Sequence, residues 1–111
     1  MHNMAKEIIV TTAFDVPQRE IVKVLGVARG NTVRSRNLGR DIMAGFKNLM
    51  GGEIRVYTEM TAQSRDEALN RMINDAIKMD ADAVIGFRFT SSTVMQASSE
   101  ILAYGTAVKL K

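Results

Sequence analysis

The stretch DADAVIGFRF, from Asp80 to Phe89, places two carboxylates two residues apart and then turns apolar. An apolar helical pattern ends just before it, near Met79, and aspartate tolerates the left-handed backbone that ends many helices better than most other residues. After this corner, Ile85 and Phe87 alternate with smaller or polar residues, which is the two-residue period of a strand. The stretch therefore predicts the end of one helix and the start of a strand.

Asp80 and Asp82 could instead be a pair of carboxylates that does chemistry. Such a pair needs both groups to converge on one reacting atom. Two residues that flank a corner between a helix and a strand have no sequence reason to converge. The structural interpretation is favoured over an active site.

Two helices are predicted before this corner. The first begins at Asn37, whose side-chain oxygen can cap the free amides of the first turn, and it ends at Gly51-Gly52. Its apolar residues recur three and four positions apart, which is typical of one buried helix face, and they are Leu38, Ile42, Met43, Phe46, Leu49 and Met50. The second helix begins at Ser64, where SRDE has capping-box spacing, or earlier near Val56. Its apolar face comprises Met60, Ala68, Leu69, Met72, Ile73, Ala76 and Ile77.

Four segments predict strands. They are Lys6–Thr12, Glu20–Gly30, the run VIGFRFT that follows Ala83, and the final run ILAYGTAVKL. The polar residues ASSE, Ala97–Glu100, predict the hairpin turn between the last two strands. The order strand, strand, helix, helix, strand, strand contains no alternation of strands and helices, so we predict an α+β fold in which two helices cover one face of an antiparallel sheet.

The strands carry apolar residues on both sides, although the two helices can cover only one. An exposed apolar face usually binds a partner, and identical subunits are the simplest partners for a short chain. We therefore expect a homo-oligomer.

The composition limits the classes of function. A length of 111 residues with 46% hydrophobic content fits one domain, residues 1–111. The chain has no cysteine, which excludes disulfides, thiolate metal sites and cysteine nucleophiles. No apolar run approaches the roughly 18 residues that cross a bilayer, and the start lacks a secretory pattern, so we expect a cytoplasmic protein without a membrane partner.

The net charge of +3 conceals a basic middle segment. ARGNTVRSRNLGR, residues 28–40, holds four arginines and no acid: Arg29, Arg34, Arg36 and Arg40. Clustered arginines can neutralise phosphates and bind an anion or a nucleic acid. No aromatic residue is interleaved to stack on bases, so a solvated turn is the favoured interpretation and nucleic-acid binding is not expected.

The order of several motifs resembles the YbjQ family of small prokaryotic proteins. The motifs are NLGRDIMAGFKNLMGGEIRVYTEM, SRDEALNRM, ADAVIGFRF and ILAYGTAVKL, which span most of the chain. The resemblance implies a dodecin-like subunit that assembles into a ring, commonly a homopentamer, and it implies no established activity. Asp80 departs from the family pattern, which commonly has glycine at this position.

The family carries a heavy-metal-binding label, which the residue inventory supports poorly. Soft metals favour thiolate, thioether and imidazole ligands, and the chain offers only His2 and eight methionines, most of which fall on apolar faces. A hard cation could bind carboxylates if a ring brought several copies together. The candidates for such a metal site are Glu53, Glu59, Asp80 and Asp82. No cofactor is otherwise predicted.

Two hypotheses about function follow. The first is a non-catalytic ring that binds a small ligand or partner at clefts between subunits, with Glu53 and Tyr57 as the polar residues that match the family pattern. The second is an anion or nucleic-acid binder that uses the basic segment, above all Arg34, Arg36 and Arg40. An enzyme ranks third, because no histidine is available as a base beside a serine or threonine.

Overall fold

The computed structural model describes residues 7–35, 52–95 and 98–111. In chain order, its elements are a short strand, a long strand, a helix and two further strands: β1 (Ile9–Val10), β2 (Ile21–Ser35), α1 (Gly52–Lys78), β3 (Ala83–Met95) and β4 (Ser98–Leu110). The four strands form one sheet in the order β1-β3-β4-β2. The α+β class is confirmed, and the predicted first helix, Asn37 to Met50, lies outside the described residues.

The sheet is mixed. β4 pairs antiparallel with both β2 and β3, as predicted, but β1 pairs parallel with β3, with Ile9 opposite Ala83. The prediction of a fully antiparallel sheet is therefore wrong at this edge. The reason is that the chain leaves β1 through residues 11–20 and enters β2 at the opposite edge of the sheet, so β1 and β2 do not form a hairpin.

All four predicted strand boundaries change, and two of the changes bear on the predicted basic segment and turn. β2 continues five residues beyond Gly30, to Ser35, so the first part of the basic segment is strand and not a turn. β4 begins at Ser98 and pairs Glu100 with both Val33 and Ser92. The turn predicted over Ala97–Glu100 is therefore placed too late, because hydroxyl-rich residues are tolerated in an exposed strand.

Helix α1 has 27 residues and begins well before Ser64, as the earlier of the two predicted starts allowed. In the ranges that the structure describes, no helix is long and apolar enough to cross a membrane. The last turn of α1 ends at Lys78, a cation that interacts favourably with the negative end of the helix dipole.

The main core lies between α1 and one face of the sheet. Its fully buried members are six alanines with one methionine and one valine: Ala28, Ala68, Met72, Ala76, Ala81, Val84, Ala103 and Ala107. Gly30 marks the closest approach of strand and helix, because a Cβ atom there would collide with the backbone of Ala68, Arg71 and Met72. The small residues allow β2 to pack directly against the helix backbone.

Among the described residues, the face of the sheet without α1 is covered at one end. There, Val16 and Ile21 pack against a second cluster formed by Ala83, Ile85, Val108 and Leu110. Phe14 lies over Gly86, which has a left-handed φ of 62°, and the guanidinium of Arg88 lies 5.7 Å from the centre of the Phe14 ring. The loop of residues 11–20 thus covers the ends of β3 and β4, and no other described segment covers β2 beyond Ile21 on this side.

Candidate functional site

The corner that follows α1 holds a small charged cluster. Asp80 has a positive φ of 62° and its N–H donates to the carbonyl of Ile77, which ends the helix as predicted. The ammonium of Lys109 lies 3.4 Å from Asp80 Oδ2 and 3.7 Å from Asp82 Oδ1. The two carboxylates therefore do converge, contrary to the sequence-based expectation, but the group between them is a lysine.

Asp82 also joins β3 to the end of β4. Its Oδ2 accepts a 2.8 Å hydrogen bond from the N–H of Leu110, and its own N–H donates to the carbonyl of Val108. These contacts give Asp82 a structural role. A divalent cation at this pair of carboxylates would have to displace the ammonium of Lys109.

The other candidate metal ligands lie far from this corner in a single chain. Glu53 and Glu59 occupy the first turns of α1, while Asp80 and Asp82 follow its last turn. At about 1.5 Å per residue, the two ends of the helix are roughly 40 Å apart. Within the described residues, no group of three or more histidine, cysteine, aspartate or glutamate side chains could hold a metal ion. Tyr57 lies in the same turns as Glu59.

The basic segment is only partly described. Arg29 and Arg34 lie in β2, whereas Arg36 and Arg40 lie outside the described residues. The backbone N–H of Arg29 donates to Asp75 on α1 over 3.0 Å. What the structure shows of this segment is therefore an edge strand that is attached to the helix.

Charged side chains of α1 run along the outer edge of β2. Arg71 donates to the carbonyl of Asn31 over 2.6 Å and forms a 2.7 Å ion pair with Glu67, one turn earlier. Asp75 accepts from Arg29, one turn later. An open depression of about 320 Å³ lies here, lined by Arg29, Gly30, Asn31, Arg71, Asn74, Asp75 and Lys78. We call Glu67, Arg71 and Asp75 the edge guard.

The sequence-based reasoning missed the edge guard. Its signal was the spacing of four residues between Glu67, Arg71 and Asp75, which places alternating charges on one helix face. The strand that this face covers could not be identified from that spacing alone.

The uncovered face of β2 carries three exposed valines, with Arg29 and Asn31 between two of them on the same face. Val24, Val27 and Val33 are 64%, 63% and 54% exposed. The register places them on the face opposite α1, because their partners on β4 alternate with the buried Ala103 and Ala107. We call these three side chains the valine row. Exposed aliphatic side chains on a sheet face are one indication that the face binds a partner.

In the described part of the chain, the fold defines a class: a small α+β protein with one helix on a mixed four-stranded sheet. A family model described as "Putative heavy-metal-binding" matches residues 8–111. The chain belongs to this family, the YbjQ family, as its motifs predicted.

Related proteins share nearly the full length of the chain. A UPF0145 protein from Archaeoglobus fulgidus is 58% identical over 108 residues, which cover 97% of this chain and all of that protein. A UPF0145 protein from Photobacterium profundum is 61% identical over 99 residues, with 89% and 96% covered. One from Thermotoga maritima is 57% identical over 103 residues, with 93% and 97% covered.

A solved structure has the same fold. It is a crystal structure of a protein of unknown function from Pediococcus pentosaceus, assigned to the DUF74 family, and it aligns with a TM-score of 0.62 at 18% identity. The alignment covers 94% of this chain and 98% of that one. At this identity the likeness concerns the fold alone.

Proposed function

We propose that this protein is a non-catalytic subunit of a homo-oligomer that binds a small ligand or partner at the clefts between subunits. The observation that carries the proposal is the valine row, whose three side chains are more than half exposed on a face that neither α1 nor the loop of residues 11–20 covers. The resemblance to the family implies a ring of five subunits.

The magnitude of the apolar term limits how subunits associate. Burying the exposed parts of three valines contributes roughly 1 kcal/mol each. Association costs about 4–15 kcal/mol in lost translational and rotational freedom. The valine row alone therefore does not hold the subunits together, and further contacts must contribute.

Ligand binding at a cleft is supported by the polar depression beside the edge guard. It presents two guanidinium-bearing residues, Arg29 and Arg71, together with Asn74, Asp75 and Lys78. Because it is open on one side, a neighbouring subunit would complete its wall. Its positive balance favours an anionic ligand, which agrees with the alternative function predicted from the basic segment.

Metal-cation binding, the function that the family description suggests, is the weaker alternative. Asp80 and Asp82 already share Lys109, and Glu53 and Glu59 lie at the other end of α1. A metal site would require carboxylates from several subunits. Calorimetry with zinc, copper, calcium and magnesium tests it, and heat of binding at micromolar metal would favour this alternative over ours.

Light scattering coupled to size exclusion tests the oligomer. We expect the unchanged chain to elute as an assembly and the variant Val27→Asp to dissociate, because a buried carboxylate without a partner is costly. Ile77→Asp is the matched control, since Ile77 is an exposed aliphatic side chain on α1, and it should leave the assembly intact. Dissociation by both variants, or by neither, would contradict the proposed interface.

The proposal places the assembly in the cytoplasm. Cell fractionation with an antibody against the chain tests this location, and recovery in a membrane pellet would contradict it.

A further inference from the structure

The outer edge of β2 is free of a strand partner in the described chain but is partly guarded. The N–H of Arg29 and the carbonyl of Asn31 point away from β4, because they bond to side chains of α1. Backbone groups in a strand alternate in direction, so those of Val33 and Ser35 point the same way. The edge guard therefore protects β2 at residues 29–31 and leaves residues 33–35 unguarded.

The outer edge of β3 shows the same division. The N–H of Phe87 donates to the carbonyl of Thr11 over 3.0 Å, so this half of the edge is covered by the chain around β1. By alternation, the backbone groups of Phe89, Ser91 and Thr93 also point outward. Ser91 and Thr93 are exposed, and Phe89 is 39% exposed.

The composition of Phe89–Thr93 does not protect this half of β3, and the register shift that ends its regular pairing lies between Thr93 and Met95. Proteins usually blunt an exposed strand edge with lysine, proline, a bulge or an inward charge. Residues Phe89–Met95, FTSSTVM, contain no charge, no proline and no glycine, and they are rich in residues that favour strands. An edge of this composition is suited to pair with another strand.

The two unguarded edges lie at the same level of the sheet, on opposite sides. Val33 on β2 and Ser92 on β3 are both opposite Glu100 on β4. β2 and β3 also run in the same direction, because both are antiparallel to β4. A rotation can therefore place a second copy so that its β3 lies beside β2 of the first copy. The two strands would then run parallel, with their unguarded residues at the same level.

The faces match as well. In a parallel pair, a residue whose backbone groups point outward lies opposite one whose groups point inward, and both side chains occupy one face. The backbone N–H and carbonyl of Val33 point outward from the sheet edge, and its side chain lies on the open face. Thr90 and Ser92 have backbone groups that point toward β4 and side chains on that same face. Parallel pairing thus makes the open face continuous between subunits.

From these observations we infer that the outer edge of β3 at Phe89–Thr93 pairs in parallel with the outer edge of β2 at Val33–Ser35 in a second copy of this chain. The contact is head-to-tail, since each subunit pairs its β3 edge with one neighbour and its β2 edge with the other, and repetition closes a ring in which both unguarded edges are paired. The inference rests on the proposed homo-oligomer and names the surface that holds it. The occupant is a second copy because the chain itself supplies the complementary edge at the matching level, next to the valine row.

Paired cysteines test the contact cleanly, because the chain has none of its own. The double variant Val33→Cys/Ser92→Cys places one thiol on each edge. Within one chain, β4 separates these positions by about 10 Å, which is too far for a disulfide. Val33→Cys/Thr90→Cys samples the neighbouring register. The single variants Val33→Cys and Ser92→Cys are the controls.

On mild oxidation, we expect at least one double variant to give a ladder of covalent dimers, trimers and larger species on a denaturing gel, and neither single variant to do so. A ladder ending at the subunit number measured by light scattering would support the closed ring. A covalent dimer of Ser92→Cys alone would show self-pairing of β3 and overturn the inference.

Light scattering of the reduced variants separates the two claims. An assembly that persists without a ladder in either double variant would overturn the edge pairing and leave the homo-oligomer standing. A monomer in the unchanged chain would overturn both. Circular dichroism of each reduced variant checks that the fold is retained. The double variant Val33→Cys/Ser91→Cys is a further control and should not cross-link, because the side chain of residue 91 lies on the opposite face of the sheet.

Discussion

The carboxylate of Asp75 on α1 accepts a 3.0 Å hydrogen bond from the backbone N–H of Arg29 on the edge strand β2. In this contact a side chain satisfies an edge-strand N–H that would otherwise be available to a neighbouring strand. It fixes the helix against the strand and limits the length of β2 that a neighbour can reach. The relation between the two residues thus connects the packing of one subunit to the way subunits meet.

Removal of the Asp75 carboxylate should destabilise the chain modestly. Asp75→Ala leaves the N–H of Arg29 to water, and we expect a loss of about 1 kcal/mol in the free energy of unfolding. Asp75→Asn keeps an oxygen acceptor and should recover most of this loss. Urea unfolding followed by circular dichroism measures both, and equal losses in the two variants would show that charge, and not the hydrogen bond, matters.

Gly30→Ala should be far more damaging. The added methyl group would collide with the backbone of Ala68, Arg71 and Met72, which cannot rotate away as a side chain can. We expect a loss of about 2–4 kcal/mol, seen as a lower thermal midpoint. Ser91→Ala, in an exposed strand position, is the control and should change the midpoint little.

Asp80 tests the helix end. A φ of 62° is strained for any residue with a Cβ atom but not for glycine. Asp80→Gly should therefore leave the stability unchanged or raise it by up to about 1 kcal/mol, whereas Asp80→Ala should lower it by about 1 kcal/mol. The 82% exposed carboxylate contributes little through Lys109. Greater stability of the alanine variant in thermal unfolding would refute this explanation.

Asp82 should contribute more to stability than Asp80, because its carboxylate accepts a hydrogen bond from the backbone at the end of β4. Asp82→Ala removes the acceptor of the Leu110 N–H in a part-buried position, and we expect a loss of about 1–2 kcal/mol. Asp82→Asn should lose less than half as much. Hydrogen exchange at the Leu110 amide measures the local effect directly, and unchanged protection in Asp82→Ala would contradict the proposed role.

The sequence predicted those features that depend on local pattern. The stop at Asp80, the buried face of α1 at Ala68, Met72 and Ala76, and the antiparallel hairpin of β3 and β4 follow from periodicity and backbone preference. Ile77, predicted on the same helix face, is 36% exposed. The parallel pairing of β1 could not be predicted, because two residues carry no directional signal and their partner is 74 positions away, as the pairing of Ile9 with Ala83 shows.

The candidate site was predicted less well, for a physical reason. Glu53 and Asp80 were grouped by chemistry, yet they lie at opposite ends of α1. Lys109 joins Asp80 to Asp82 from a strand that is distant in sequence, and no local pattern indicates this contact. Contacts between elements depend on register and crossing, which a single sequence does not reveal.

Native mass spectrometry of the freshly purified, unchanged chain at low micromolar concentration tests the central claim most directly. We predict one dominant assembly of several copies, with five expected from the family resemblance, and any retained ligand as an added mass. A spectrum dominated by the 12.3 kDa monomer would contradict the account.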